Sequence, residues 1–290
     1  MIKNNLLNLS HFNILEIEGK GAEELLQGQL TCDMAKIEGN KFCLGSLCNV
    51  KGRVVSSFIL CERPYPDDGK KYWLITNHDM SQKTQNVLNK YSPFYDVKLK
   101  LNNQFKFFAI DNKINPCIHE GIKNKENQYS ESGGSVIFSY LDKELDLIVF
   151  LEDINEEFNI INDIGEWNLD NLRAKDVEIT NVNSEKYTPH ELNFNQNRID
   201  FEKGCYTGQE IIARMQYRAK SLPKLYEATC ESLVKVNEKV ISSEDKNLGS
   251  VVLCSESEGK FYCLLSLKDF EYTKPIFLKD SKKQLEVKTN

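Results

Sequence analysis

The residues best suited to chemistry lie in one short segment, residues 203–210, which reads Lys-Gly-Cys-Tyr-Thr-Gly-Gln-Glu. Thr207 and Glu210 have the spacing of a capping box, which predicts that a helix begins here. Cys205 would then lie just before the helix N-terminus, with Lys203 beside it. Because a helix dipole and an ammonium group both favour a thiolate, we expect Cys205 to be an accessible and reactive thiol.

Two interpretations of this segment remain open on the residues alone. Its two glycines are also typical of a plain strand-to-helix turn, and cysteine is commonly an inert buried residue. A cysteine nucleophile needs a neighbouring base. The histidine nearest in sequence, His190, is fifteen residues away, and no sequence signature links it to Cys205.

A local surplus of positive charge surrounds the same segment. Between Lys203 and Lys224 there are five basic residues and one acidic residue, whereas the whole chain has 37 Lys and Arg against 43 Asp and Glu, a net charge of −6. Arg214 and Arg218 are therefore candidates to meet an anionic ligand, since guanidinium groups pair well with carboxylates. The negative overall charge argues against direct binding to nucleic acid or to a membrane surface.

The composition is typical of a soluble protein with more than one domain. A length of 290 residues suggests two or three domains. The nine cysteines lack C-x-x-C or zinc-finger spacing, so we expect free thiols and no metal site. Because the sequence has neither a secretory signal nor an apolar run long enough to span a membrane, it predicts a cytoplasmic protein, which we expect to be a monomer.

The N-terminal part of the chain alternates strand and helix patterns. The helix that follows Gly21 has one apolar stripe, in which Gln29 takes an apolar position and is either a buried structural amide or a ligand contact. Asn77 or Asp79 is expected to cap a second helix, which Pro93 stops. The predicted strands cover residues 10–18, 41–48, 53–61, 72–76, 96–101 and 105–111. These elements predict an α+β domain over residues 1–111.

Two further domains follow. A polar loop over residues 112–135, two strands at 136–140 and 145–151 and a helix near 163–174 predict a second α+β domain over 112–221. From about residue 222 the helical period disappears. Short strands near 225–231, 248–254, 260–267, 275–278 and 284–287 then alternate with turns. This pattern predicts a C-terminal β-barrel over residues 222–290.

The segment at 203–210 resembles the signature of the YgfZ-type folate-binding proteins, relatives of the glycine-cleavage aminomethyltransferase. Weaker matches follow the same order as in that family, so the resemblance covers about residues 10–280. These matches are residues 26–33 (Leu-Gln-Gly-Gln-Leu-Thr-Cys-Asp), 51–53 (Lys-Gly-Arg), 73–97, 214–226 and 248–251 (Leu-Gly-Ser-Val).

The resemblance implies a fold and a function. The fold is α+β: two α+β (ferredoxin-like) units and a C-terminal β-barrel, arranged as a ring around a central channel. A reduced folate, tetrahydrofolate or a related pterin, is expected in the channel. The implied function is to support the assembly or repair of iron–sulfur enzymes, including a radical-SAM enzyme that methylthiolates tRNA. Cys205 is then the functional thiol, and the expected folate contacts are Gln29, Asp33, Asp176, Lys203, Gln209, Arg214 and Arg218.

One departure from the family keeps other functions open. The family has Arg-Ile-Glu-Ala-Gly, whose Glu is expected to hold the pterin, where this chain has Arg-Ala-Lys-Asp-Val at residues 173–177. Lys175 thus takes the Glu position and cannot accept a hydrogen bond, which leaves Asp176 or Glu178 as the acceptor. The alternatives are a folate-dependent aminomethyltransferase, a cysteine-dependent hydrolase or transferase, and a folate-free interaction scaffold.

Overall fold

The computed structural model describes residues 5–64, 69–113, 127–132, 134–152, 158–268, 270–271 and 273–288. Its α-helices are α1 (Ala22–Gln29), α2 (His78–Leu88), α3 (Gly165–Arg173) and α4 (Gln209–Arg218). Its strands are β1 (Asn5–Asn8), β2 (Phe12–Gly19), β3 (Phe42–Cys48), β4 (Val54–Arg63), β5 (Lys70–Asn77), β6 (Lys98–Asn102), β7 (Lys106–Asp111), β8 (Tyr129–Ser132), β9 (Ser135–Phe138), β10 (Leu145–Phe150), β11 (Asn159–Ile161), β12 (Lys224–Cys230), β13 (Lys239–Ser242), β14 (Asn247–Ser257), β15 (Lys260–Leu267), β16 (Ile276–Leu278) and β17 (Gln284–Val287).

The first unit is an antiparallel sheet in the order β3-β4-β5-β2-β6, with α1 and α2 packed against it. The order is ferredoxin-like, with β3 as an added edge strand. The predicted stripe of α1 is confirmed, since Leu26 is fully buried against the sheet and Gln29 is buried beside it. Asn77 caps α2 as expected, because its side chain accepts the backbone N–H of Asp79 at 3.1 Å.

The second unit is a sheet in the order β11-β1-β7-β10-β9-β8. It packs against the first sheet through a shared core that includes Phe12 and Trp73 from the first unit and Phe138 and Trp167 from the second. Both β1 and β7 belong to this sheet, so the predicted boundary at residue 111 does not follow the sheets. The reason is two long-range pairings, β1 with β11 and β7 with β10, that no local periodicity can reveal.

The polar loop predicted at residues 112–135 lies partly outside the described residues, and its end forms β8. Beyond it, the predicted strands near 136–140 and 145–151 correspond to β9 and β10, and the helix near 163–174 to α3.

The third unit is a closed barrel in the order β12-β15-β14-β13-β16-β17. The predicted C-terminal barrel is therefore confirmed, although the prediction missed the four-residue strand β13. At Gly249 in β14, a Cβ atom would lie 1.9 Å from the backbone oxygen of Ser266 in β15. The two strands approach so closely here that only glycine fits.

A further apolar cluster joins the first unit, the connecting segment and the barrel. It contains Val54 of β4, Tyr206 and Ile212 around the start of α4, and Leu225 and Leu264 of the barrel. The segment at 203–210 is thus fixed where the units meet. No helix within the described residues is long and apolar enough to cross a membrane.

We predict that Gly249→Ala lowers the free energy of unfolding by about 2–3 kcal/mol, because the added methyl group forces β14 and β15 apart. Gly28→Ala is the matched control, since a Cβ at Gly28 meets nothing within 4 Å. Gly28 lies inside α1, so its substitution should be neutral or stabilising by up to about 1 kcal/mol. Urea unfolding of both variants measures the difference, and equal midpoints would contradict the proposed close approach.

Candidate functional site

The segment at 203–210 is a loop that docks on the β3–β4 hairpin and leads into α4. Gly208 is the N-cap residue of α4 and has φ of 87°, a left-handed conformation that favours glycine. A Cβ at Gly208 would also lie 2.5 Å from the backbone oxygen of Asn49 in the hairpin turn. On the hairpin side, a Cβ at Gly52 would lie 3.1 Å from the side chain of Ile211. The two glycines therefore let the turn and the helix start come together.

The capping box predicted at Thr207 and Glu210 is wrong. Because Gly208 is the N-cap, Thr207 lies outside the helix, and its hydroxyl instead donates to Oε1 of Gln29 at 2.9 Å. Gln29 thus anchors the loop to the end of α1. A capping box does occur at Thr188 and Glu191, which have the same spacing.

Lys203 is directed at α1 rather than at the thiol. Its Nζ donates to the backbone oxygens of Gln27 at 2.7 Å and Leu30 at 2.6 Å, at the C-terminal end of α1, where the helix dipole favours a cation. The ammonium also lies 5.1 Å from the ring centroid of Tyr206. Burial lowers the pKa of Lys203. Lys203 therefore ties the loop to the first unit and is not free to meet a ligand.

Cys205 is exposed, as predicted. The described part of the chain contains eight cysteines. Besides Cys205, Cys43 and Cys254 are half-buried and the other five are buried. Burial raises the pKa of the Cys43 thiol to about 11 and that of Cys48 to about 12. Among the described cysteines, Cys205 is thus the thiol that a partner molecule reaches most easily, while its reactivity stays a prediction.

A cavity of about 460 Å³ lies between the first unit, the second unit and the segment that precedes the loop. Its polar lining includes Asp33, Lys36, Asp142, Asn197, Arg198 and Asp200. Lys36 and Asp200 form an ion pair across it. Asp33 caps the turn of 3-10 helix that follows it and accepts a hydrogen bond from Gln27 Nε2 at 2.9 Å. The cavity is the concave, largely polar site in which a small ligand would be held.

A buried ion triad supports one wall of the cavity. The Asp176 carboxylate is 2.5 Å from a terminal nitrogen of Arg198 and 2.8 Å from Nζ of Lys143. All three side chains are at most 4% exposed. Burial alone would raise the pKa of Asp176, but the two cations outweigh it and hold that pKa well below its usual range. With two cations and one anion, the triad carries a buried net charge of +1.

Two polar atoms at the cavity are left without partners. Arg198 donates through its Nη1 atom to the backbone oxygens of Phe58 at 3.0 Å and Gly45 at 3.4 Å, yet its Nε has no hydrogen-bond partner among the described residues. The same holds for Oδ1 of Asn197. Buried polar atoms are rarely left unpaired. Asn197 and Arg198, two adjacent residues of the cavity lining, therefore each have one buried hydrogen-bonding atom that no described protein group satisfies.

The structure changes the roles expected around residue 175. Both carboxylate oxygens of Asp176 are taken by Arg198 and Lys143, so Asp176 orients Arg198 instead of accepting from a ligand. Lys175 has φ of 55°, the left-handed conformation that favours glycine after a helix. Lys175 does not line the cavity. Arg173 pairs with Glu144 and does not line the cavity.

The other predicted residues lie apart from the cavity. Gln209 is half-buried at the start of α4, and Arg214 and Arg218 are exposed on its outer side. Of the seven predicted ligand contacts, only Asp33 lines the cavity. Sequence reasoning missed Asn197 and Arg198, which belong to no motif and come to the cavity through long-range contacts. Within the described residues, no group of three or more His, Cys, Asp or Glu is placed to hold a metal ion.

We predict that Asp176→Asn destabilises the protein by about 3–5 kcal/mol, because it leaves Lys143 and Arg198 buried without an anion. The folded-state pKa of Asp176 is depressed, so its contribution is fully present above the unfolded-state pKa of about 4. The difference between wild type and variant should therefore be constant from pH 7 to 5 and shrink only below about pH 4. Chemical unfolding across this pH range measures it. The exposed Asp245, paired with Lys282, is the control, and Asp245→Asn should change stability little.

We also predict that Lys203→Met, which keeps the length of the side chain, destabilises the protein by about 2 kcal/mol by leaving two carbonyl oxygens of α1 unpaired. Amide hydrogen exchange should become faster in residues 203–208 and at the end of α1. Lys51→Met, at an exposed lysine of the hairpin turn, is the control. Unchanged exchange in the loop of the Lys203 variant would show that the ammonium does not anchor it.

No family model matches the chain. The chain is similar to the tRNA-modifying protein YgfZ of Buchnera aphidicola, with 30% identity over 230 residues that cover 73% of this chain and 69% of the relative. It is also similar to the tRNA-modifying protein YgfZ of Colwellia psychrerythraea, with 28% identity over 235 residues, 76% of this chain and 70% of the relative.

Among solved structures, the chain is similar to the glycine cleavage system aminomethyltransferase T of Bartonella henselae. The TM-score is 0.73, with 15% identity, over 99% of this chain and 85% of that one. This likeness is one of fold, and it agrees with the two α+β units and barrel described above. On the extent of its identity to the Buchnera relative, the chain belongs to the YgfZ family of tRNA-modifying proteins.

Proposed function

We propose that this protein is a folate-binding accessory factor that supports the assembly or repair of iron–sulfur enzymes, including radical-SAM enzymes that methylthiolate tRNA. The observation that carries the proposal is the cavity of about 460 Å³, whose lining includes Arg198 and Asn197, two residues with a buried polar atom that has no partner among the described residues. Membership of the YgfZ family and the aminomethyltransferase-like fold support the proposal. Both agree with the resemblance noted in the sequence, which implies that a reduced folate binds.

The groups at the cavity suit a pterin ring. The ring edge has a carbonyl oxygen beside N–H groups, so it needs a donor next to acceptors. Arg198 Nε is the donor and Asn197 Oδ1 the acceptor, and the carboxylates of Asp33 and Asp142 are further acceptors at the lining. The volume lies within the roughly 300–1,000 Å³ of small-molecule sites. These four residues would hold the ring.

Cys205 is not part of the lining of this cavity, and its exposure fits contact with a client protein. Within the described residues, no hydrogen bond joins Cys205 to a histidine. His190, the nearest in sequence, has its Nε2 3.0 Å from Oε1 of Gln216, and burial lowers its pKa. Without a base beside the thiol, an accessory role is favoured over a cysteine-dependent hydrolase.

The ligand is tested by calorimetric titration with tetrahydrofolate. Arg198→Lys keeps the positive charge beside Asp176 but removes Nε, and Asn197→Leu removes the acceptor. Each should raise the Kd at least tenfold, since each leaves a ligand group unpaired. Arg53→Lys is the matched control, because Arg53 also pairs with a carboxylate, that of Glu191, but lies outside the cavity lining. Absence of binding by the wild type would favour the folate-free scaffold.

The thiol is tested separately, with two cysteine variants. Cys205→Ala should leave stability and the Kd for tetrahydrofolate unchanged, because the residue is exposed and outside the cavity. It should abolish support of a tRNA-methylthiolating enzyme in cells whose own copy of this protein is deleted, measured as the modified nucleoside in digested tRNA. Cys254→Ala, at a half-buried cysteine of the barrel, should retain that support. Full support by Cys205→Ala would exclude a functional thiol.

A further inference from the structure

The outer side of α4 carries a row of basic and aromatic residues. Arg214, Tyr217 and Arg218 are spaced by three and four residues, so they lie on one side of the helix. All three are exposed, and Tyr217 is 68% exposed. Lys220 and Lys224 follow directly and are exposed as well. These five residues are called the α4 surface below.

The cations of the α4 surface have no partners within the part of the chain that the structure describes. Among the described residues, exposed lysines of the barrel do form salt bridges, such as Lys282 with Asp245 at 2.6 Å and Lys288 with Glu227 at 2.9 Å. No salt bridge within the described residues involves Arg214, Arg218, Lys220 or Lys224. The single acidic residue of α4, Glu210, forms no salt bridge there either. The positive charge of the α4 surface is therefore available to a partner.

Tyr217 adds an exposed aromatic ring to the positive charge of the α4 surface. Its ring lies edge-on to Phe201, with centroids 6.1 Å apart and an interplanar angle of 74°. Phe201 in turn lies 6.5 Å from His190, which is buried. The Tyr217 ring is thus held from one side while most of the residue stays open to solvent, with Arg214 three positions before it and Arg218 next to it in the helix. An exposed, supported ring among cations is suited to stacking on a planar group.

We propose that the α4 surface binds single-stranded RNA. The four cations meet successive phosphates, and Tyr217 stacks on an unpaired base. Proteins that bind single strands combine these two features, a basic track for the backbone and aromatic rings for the bases. Unpaired bases that stack on aromatic rings and on guanidinium planes are typical of RNA loops. An acidic protein would match the charge but would leave the exposed ring without a role.

This proposal differs from the expectation based on net charge. A charge of −6 describes the whole chain, and salt screens charges beyond about 8–10 Å, so a bound strand responds to the local surface. The α4 surface is locally positive. It also lies apart from the cavity proposed for the folate, because none of its five residues belongs to the cavity lining. Folate binding and RNA binding can therefore be tested independently.

The test is fluorescence anisotropy of a labelled twelve-nucleotide RNA of mixed sequence, titrated with the full chain at low and at physiological salt. We expect binding that weakens as salt rises, because phosphate neutralisation releases counterions. The double variant R214Q/R218Q should bind at least tenfold more weakly and with a shallower salt dependence. Y217L keeps every charge and should bind at least fivefold more weakly, since it removes the stacking ring.

Matched controls decide what an affinity loss means. K246Q/K279Q removes two exposed lysines of the barrel and should bind RNA like the wild type. Folate titration of R214Q/R218Q should match the wild type, which shows that the fold and the cavity are intact. Equal loss in both double variants, or no loss in Y217L, would overturn the proposal. A poly-glutamate peptide that binds as tightly as the RNA would also overturn the proposal, because it would indicate an acidic protein partner. Tighter binding of DNA of the same sequence would overturn it as well.

Discussion

The contact on which the rest of the site depends is the one between the Lys203 ammonium and the end of α1. By donating to the oxygens of Gln27 and Leu30, Lys203 joins the loop at 203–210 to the first unit. The Thr207 hydroxyl adds a second attachment on Gln29. With both ends of the loop fixed, Gly208 starts α4 against the hairpin turn, and Cys205 is left exposed between the two attachments. The side chains of the segment thus act mainly to present one thiol.

This arrangement separates a site inside the molecule from two features on its surface. The cavity is built from the first unit, the second unit and the segment before the loop, and its unpartnered atoms belong to Asn197 and Arg198. The thiol and the α4 surface face solvent on the other side of the attachments. The loop, α4 and the segment that holds Arg198 are continuous in sequence, so fewer than ten residues of backbone join the cavity wall to the loop.

The sequence predicts well what local patterns determine. The stripe of α1 and the strands of the barrel follow from periodicity, and the exposure of Cys205 from its position before a helix. Prediction from the sequence fails where contacts between distant segments determine the structure. The pairings of β1 with β11 and of β7 with β10 place both strands in the second sheet, and Gly208 replaces Thr207 as the N-cap of α4. Arg198 could not be found, because its role depends on Asp176 and Lys143, which are 22 and 55 positions away in the sequence.

The ion triad is an unusual choice on grounds of stability alone. Replacing a buried ion pair or triad by apolar side chains of similar volume is often neutral or stabilising, so stability does not require Lys143, Asp176 and Arg198. What the triad provides is an oriented guanidinium group at a cavity wall. Asp176 and two backbone oxygens hold the terminal nitrogens, and this leaves Nε as the one nitrogen of the Arg198 guanidinium group without a partner among the described residues. A group whose orientation is fixed before the ligand arrives loses little entropy when it binds. The three buried charges therefore fix the orientation of the Arg198 guanidinium group beside the cavity.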